Sequence, residues 1–256
     1  MDIPDLAMAF GFMREPMGTH TSRTIMLTEF RGLLANVNQD ASYLDYKTAA
    51  VDLNAVHKAT LSTRQKTFRH LRELYALSAD VILFRALRDL WEQDTEGQPL
   101  LAAMCAAARD PLMRVSSKRV LEASEGETVT SEELEQAVEE AFPGRYRPDT
   151  LARTGRNLAS SWTQSGHLRG RGRKARARAN CAPASVAYAL LLGYLCEGRG
   201  ERLFRTLWAE LTDAPEHILR SLAEEACRLG YLEYRHGGGV TEIAFQHLLR
   251  GVRTSV

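Results

Sequence analysis

Apolar residues recur at helical spacing along most of this chain. From Ser22 to Val37, the residues Ile25, Met26, Phe30, Leu33, Leu34 and Val37 share one face, and from Asp45 to Thr60 the pattern repeats with Tyr46, Ala50, Leu53 and Val56. Ser62-Thr63 opens a longer predicted helix, Arg64 to about Ala79, with Phe68, Leu71, Leu74 and Tyr75 inward and Arg64, Lys66, Arg69 and Arg72 outward. Val81 to Glu92 and Pro99 to Arg109 read as two more helices. Asp110-Pro111, a capping acid followed by proline in the first turn, restarts a helix that runs to about Ala123. Residues 22–124 are therefore expected to form an all-helical bundle. Residues 1–21 show no period and read as a loose N-terminal arm.

Glu125-Gly126-Glu127 is the first candidate boundary. Beyond it, Thr130 or Ser131 caps a helix whose apolar face is Leu134, Ala137, Val138 and Ala141, and Phe142-Pro143-Gly144 breaks it. Pro148-Asp149 opens the next helix. Leu151, Gly155, Leu158 and Trp162 make its buried stripe, and Arg153, Arg156, Asn157, Ser160 and Gln164 make a polar, basic side. Ser165-Gly166 ends it, and His167 to Arg176 reads as a short glycine-tipped hairpin fringed with arginine. Helix, turn, basic helix and basic hairpin follow the order of a helix-turn-helix with a wing. Asn180 then caps Pro183 to Cys196, which is apolar on nearly all sides. Glu201 to Leu211 and a helix opened by the capping box Asp213-Ala-Pro-Glu216 follow, and a hairpin around His236-Gly-Gly-Gly239 closes the series. The expected fold class is mainly α: the helical bundle, a basic winged-helix-like module over 125–180, and a second winged-helix-like module over 181–256. The second is not basic, since Arg235 stands against Glu233 and Glu242, which weights it toward protein contact or dimerisation.

Charge sharpens this picture. The 256-residue chain carries a formal net charge of +1, but the charge lies in blocks. Arg145 to Arg178 holds ten Lys/Arg against one acid, Asp149, whereas Glu122 to Phe142 holds eight glutamates and no Lys or Arg. A charge run alone is usually a solvated face; joined to an amphipathic helix with its own basic side, it reads as a surface for a polyanion. The glutamates read as a solvated face, with docking of a basic protein or screening of the basic patch as alternatives. The four cysteines are widely spaced without a CxxC pair, as expected of free thiols in a reducing cytoplasm. The most apolar run, Ala182 to Cys196, has about 15 residues where a membrane-spanning helix needs roughly 20, and the N-terminus lacks the pattern of a signal peptide. Enzyme signatures are missing. There is no HExxH, no metal-spaced Cys/His cluster, no phosphate loop and no nucleophile elbow, and Gly170 to Ala175 fits GxGxx[GA] only superficially, because no strand precedes it. No cofactor or metal is expected.

Three segments carry a resemblance: Asn54 to Arg72 (NAVHKATLSTRQKTFRHLR), Arg156 to Lys174 (RNLASSWTQSGHLRGRGRK) and Ala187 to Gly200 (AYALLLGYLCEGRG), the last followed by LFRTLW at Leu203 to Trp208. Spread over most of residues 45–245, they resemble the BrxA family of bacteriophage-exclusion (BREX) phage-defence systems. The resemblance implies a mainly helical, non-enzymatic protein that binds double-stranded DNA beside methyltransferase, phosphatase-like and ATPase components. Arg156, Asn157, Ser160, Trp162, Gly166, Leu168 and Lys174 are the positions it carries over; residues before 22 lie outside it. The expectation is a cytoplasmic DNA-binding accessory protein. Its expected contacts are Arg153, Arg156, Asn157, Ser160, Gln164, His167, Arg169, Arg171, Arg173, Lys174, Arg176 and Arg178, with Leu158 and Trp162 anchoring the helix to the core. A protein–protein adaptor within a defence complex and an RNA-binding protein are the alternatives.

Overall fold

The computed structural model describes residues 3–252. In chain order its helices and strands are α1 (Asp5–Ala9), α2 (Leu27–Ala35), α3 (Tyr43–Val51), α4 (Leu61–Tyr75), α5 (Ile82–Trp91), α6 (Gln98–Arg109), α7 (Pro111–Glu122), α8 (Ser131–Ala141), α9 (Pro148–Gln164), β1 (Leu168–Arg169), β2 (Ala175–Arg176), α10 (Pro183–Leu195), α11 (Leu207–Glu210), α12 (Glu216–Arg228), β3 (Glu233–Gly237) and β4 (Val240–Ala244). Two single 3-10 turns, Thr19–Thr21 and Gly200–Arg205, complete them. The fold is mainly helical, with two small two-stranded antiparallel sheets, β1-β2 and β3-β4.

Local sequence accounts for most of the boundaries. Asp110 accepts the Leu112 amide at 2.9 Å and caps α7, with Pro111 in the first turn where its missing N–H costs nothing. Thr130 and Glu133 form a full capping box at the start of α8. Gly238 and Gly239, with φ of 59° and 78°, make the two-residue loop that joins β3 to β4. Three predicted helices are shorter or broken. The Ser22–Val37 helix starts only at Leu27, because Met26 takes a left-handed φ of 52°. The Asp45–Thr60 helix ends at Val51, and Asn54 and His57 turn back with positive φ. Glu201–Leu211 splits into a 3-10 turn and the four-residue α11 at Thr206, which caps α11.

The expected loose arm is instead built in. Ile3, Ala7, Phe12, Thr19 and His20 are buried. Met13 donates its amide to the Ala108 carbonyl, Phe10 accepts from the Leu83 amide, and the buried Arg109 and Arg114 guanidiniums reach the Gly11 and Met13 carbonyls. Apart from the short α1 and the 3-10 turn, residues 3–21 are irregular backbone laid over the α5–α7 ends and satisfied by backbone and side-chain groups there.

The candidate boundary at Glu125–Glu127 is likewise a working part of the fold. The Gly126 amide donates to the Arg176 carbonyl, the Arg176 amide to the Glu127 carbonyl, and the Val129 amide to the Lys174 carbonyl, so this segment runs beside β2 and meets it in an isolated antiparallel bridge at Thr128 and Ala175. It leaves α7 packed against α8 and α9 on one side and against α6 on the other. Similarly, α10 packs on α5, α6, α11 and α12, and the buried apolar side chains form one contiguous cluster from Ile3 to Leu248. The three segments read from the sequence therefore share a core.

Beneath α9 lies a buried polar relay. His20 Nδ1 is 2.7 Å from Asp110 Oδ2, and its Nε2 is 3.1 Å from Ser161 Oγ, which also accepts the Ile25 amide at 3.0 Å and donates to the Asn157 carbonyl. All three side chains are buried. Asp110→Ala removes the α7 cap and strands the imidazole, which should cost about 3 kcal/mol of unfolding free energy, readable as a lower urea midpoint at unchanged m-value.

Candidate nucleic-acid interface

α9 is placed by its apolar stripe. Leu151, Leu158, Ala159 and Trp162 are buried, and the Trp162 indole N–H donates to Ser116 Oγ of α7 at 2.9 Å. Gly155 lets α8 cross closely, since a Cβ there would stand 2.3 Å from the Ser131 carbonyl oxygen. With that side committed, Arg153, Arg156, Ser160 and Thr163 remain toward solvent, the two arginines exposed and Ser160 half-buried. Gln164 and Asn157 sit at the edge. The Gln164 side-chain oxygen accepts the Leu27 amide at 2.9 Å, and the Asn157 side-chain amide donates to the His20 carbonyl at 2.9 Å. Each thus commits one polar atom to fixing residues 20–27 along the helix.

The hairpin follows directly. β1 and β2 pair in the register Leu168↔Arg176 and Arg169↔Ala175. The tight turn needs glycine at 170, where φ is 107° and a Cβ would lie 2.2 Å from the Arg173 carbonyl. Lys174 is half-buried and donates to the Gly170 carbonyl at 3.1 Å, closing the loop, and burial lowers its pKa. Arg173 donates from Nε to Thr128 Oγ1 at 2.6 Å, which aims its guanidinium without neutralising it. Arg169 and Arg171 are exposed.

Two expected contacts lie inside the protein instead. His167 is fully buried, with Nε2 3.0 Å from the Leu211 carbonyl and Nδ1 2.8 Å from Ser165 Oγ. Arg176 is buried on the inward-facing strand position and forms a fork with Asp213, at 2.7 Å and 2.6 Å, while Asp213 also accepts the Ala179 amide. Asp213 therefore holds the base of the hairpin and does not cap α12, which starts from Pro215. Alternation puts Arg176 inside: with Ala175 half-exposed, the next strand residue must turn in. Arg178 stays exposed but pairs with Glu125 at 3.3 Å, as Arg145 pairs with Glu15 at 2.7 Å.

Among the described residues, the nine arginines of this region thus divide in two, with Lys174 held at the loop base. Arg145, Arg176 and Arg178 have carboxylate partners; Arg147, Arg153, Arg156, Arg169, Arg171 and Arg173 are exposed with no carboxylate within ion-pair distance. Arg147, at the N-cap of α9, is the one that reasoning from helix faces missed, because it precedes the first turn. Glu132 of α8 lies near Arg156. Its carboxyl is held below the ordinary range by the α8 backbone and the Ser131 hydroxyl, and more weakly by Arg156. By contrast, a cleft of about 1370 Å³ between α7, α8 and residues 213–215 sets Arg114, Lys118, Arg119, Arg176 and Arg178 against Glu122, Glu133, Glu140, Glu210 and Asp213, and so offers no excess charge to a polyanion. No group of three or more His, Cys, Asp or Glu side chains among the described residues could hold a metal ion, and no helix is long and apolar enough to cross a membrane.

Compared with known proteins, the chain matches no family model and no curated sequence.

The hairpin base gives the fold an acid-sensitive point. Burial pushes His167 down from 6.5 to about 4, so the unfolded chain takes the proton first. Burial alone would raise the Asp213 carboxyl, but hydrogen bonds from Arg176 and the Ala179 amide outweigh it and hold it low. Stability from His167 is complete above about pH 6.5 and declines toward pH 4, and stability from Asp213 is lost at still lower pH as that carboxylate protonates. Thermal unfolding followed from pH 7 to pH 4 should show a falling Tm, with a shallower fall in His167→Gln over the same interval.

Proposed function

We propose that this chain is a non-enzymatic double-stranded DNA-binding protein that grips the duplex with α9 and the β1-β2 hairpin. The observation that carries the reading is the set of six exposed, unpartnered arginines on one helix and the hairpin rooted in it. Maintaining like charges at this density without carboxylates costs self-repulsion, which a phosphate backbone relieves. In this reading the solvent face of α9 enters or lies along the major groove, and Arg169, Arg171 and Arg173 reach backbone phosphates or the minor groove. Arginine suits the task because its planar fork meets phosphate oxygens in pairs.

The element order supports a winged-helix reading of the region: α7, then the bridging segment at 126–129, α8, α9, β1, the arginine loop and β2, with that segment hydrogen-bonded to β2. The segment from α10 to β4 repeats the order of helices followed by a hairpin. Its third helix, α12, presents His217, Ser221, Glu224 and Arg228 to solvent, a mixed-charge surface unsuited to phosphate. The exposed apolar side chains Ile218, Leu229 and Val240 on α12 and β4 favour protein contact there. Together with the resemblance to the BrxA family, this makes an accessory protein of a phage-defence system the best-supported role, with DNA held at one module and partner proteins met at the other. In the adaptor alternative the same basic surface docks an acidic partner protein in a multi-subunit assembly instead of DNA.

Anisotropy titrations with a short duplex, matched single-stranded DNA and matched RNA test the reading. The duplex should bind tightest, with affinity falling steeply between about 50 and 200 mM salt. Replacing Arg169, Arg171 and Arg173 together by glutamine should reduce the slope of log K against log salt by about one unit per lost phosphate contact, up to three, on every sequence. Affinity unaffected by the triple change would remove the hairpin from the contact surface, and absence of duplex binding by the intact protein would leave the adaptor reading.

A further inference from the structure

Four basic residues were read on the outer side of α4, and the structure separates them. Arg64 turns in to the Lys58 and Val51 carbonyls, and Arg72 lies over the Tyr43 ring at 6.0 Å on the α3 side. Lys66 and Arg69 stay exposed on the opposite flank, beside His70 and Glu73. That flank faces residues 19–23. Thr19 Oγ1 donates to Glu73 at 2.5 Å and lies 3.3 Å from His70 Nδ1, and Ser22 Oγ is 3.5 Å from His70 Nε2, the ring nitrogen that Arg69 also approaches at 3.4 Å. The same short segment is tied to α9 from the other side, through the Asn157 bond to the His20 carbonyl and the Ile25 amide bond to Ser161.

Residues 19–25 therefore form a strap with α9 on one side and α4 on the other, and Arg23 emerges from it with no carboxylate within ion-pair distance. The acidic helix α8 packs on the other flank of α9. The strap links the basic side of α9 to the Lys66 and Arg69 flank of α4 in the order hairpin, α9, strap, α4. Two helices about 10 Å in diameter separated by one backbone strap place their outer faces roughly 15 Å apart, comparable to the ~12 Å width of the major groove. A duplex that receives α9 in its major groove would carry the flanking phosphate strand over Lys66 and Arg69.

We propose that Lys66 and Arg69 of α4, continued by Arg23, form a second phosphate-contact site for the same DNA duplex, so that the protein's footprint extends beyond the helix and hairpin to the helical bundle. Charge complementarity selects the occupant: Glu73 is the one acid in this cluster, its carboxylate is engaged by Thr19 and His70, and it also pairs with the exposed Arg69 at 3.8 Å, which leaves Lys66 as the α4 cation here without a carboxylate partner. This inference rests on the reading of α9 and the hairpin as a duplex-binding surface, and it adds the span of DNA engaged.

The test compares the intact protein, Lys66→Gln/Arg69→Gln, and the hairpin triple variant on duplexes of 12 and 24 base pairs. Twelve pairs make little more than one helical turn, about 10–10.5 pairs, and suffice for α9 and the hairpin alone. The expected result is that Lys66→Gln/Arg69→Gln binds the 12-mer within about twofold of the intact protein. On the 24-mer it should bind about tenfold more weakly, with a salt slope smaller by about two units. Both substitutions are at exposed positions, and an unchanged thermal melt confirms that the fold is kept. Equal binding of the 24-mer by the intact protein and this variant overturns the second site while leaving the first intact. Loss of 24-mer binding in neither variant, or no duplex binding by the intact protein, overturns both. Tighter binding of RNA than of the duplex assigns the track to a different polymer and likewise overturns the proposal.

Discussion

One buried carboxylate joins three parts of the chain. Asp110 caps α7 and meets His20, and His20 meets Ser161 in the middle of α9. A charged group of this kind is tolerated inside a protein only when its lone pairs are occupied, so the three segments must assemble together for any of them to be satisfied. The direction of α9 relative to the bundle follows, and with it the outward direction of Arg153 and Arg156. The triad of residue types matches a hydrolase site by composition alone. It is sealed from solvent, and Ser161 Oγ is already engaged by two backbone groups, so its consequence is positional.

A second buried pair does the same for the hairpin. Two-stranded ribbons this short have little stability of their own. β1 and β2 persist because residues 126–129 hydrogen-bond to β2 and because Arg176 is forked onto Asp213 between α11 and α12. The rigid root and the exposed tip have separate tasks, divided between adjacent residues: Arg176 and His167 inside, Arg169, Arg171 and Arg173 outside. Burial of a guanidinium is costly, and the fork to Asp213 offsets that cost while tying the basic module to the C-terminal one.

Much of this could be read from the sequence, for identifiable reasons. The helices with a strict stripe and strong end signals, such as Asp110-Pro111 into α7 or Thr130 and Glu133 into α8, appear where periodicity puts them, since cap and stripe are local properties. What could not be read was non-local. Asp213 has the spacing of a capping box, but its carboxylate is taken by Arg176, 37 residues away. Asn157 and Gln164 lie on the polar side of α9, but the N-terminal strap, whose irregular backbone has no period, claims one polar atom of each. Within the arginine block, one-letter composition cannot tell a buried cation from an exposed one. The alternation in β2 that turns Arg176 inward depends on a strand only two residues long.

The N-terminal strap also bears on the order in which the protein can be completed. His20 leaves the ribosome long before its partners, since Asp110 and Ser161 lie 90 and 141 residues downstream. At a synthesis rate of about 5–20 residues per second, roughly 7–28 seconds separate the emergence of His20 from that of Ser161. Throughout that interval the bundle can collapse, but the seat for residues 19–25 is only half made. The strap is therefore a late-closing element at the early end of the chain, and the basic surface acquires its final shape only when translation has passed through it.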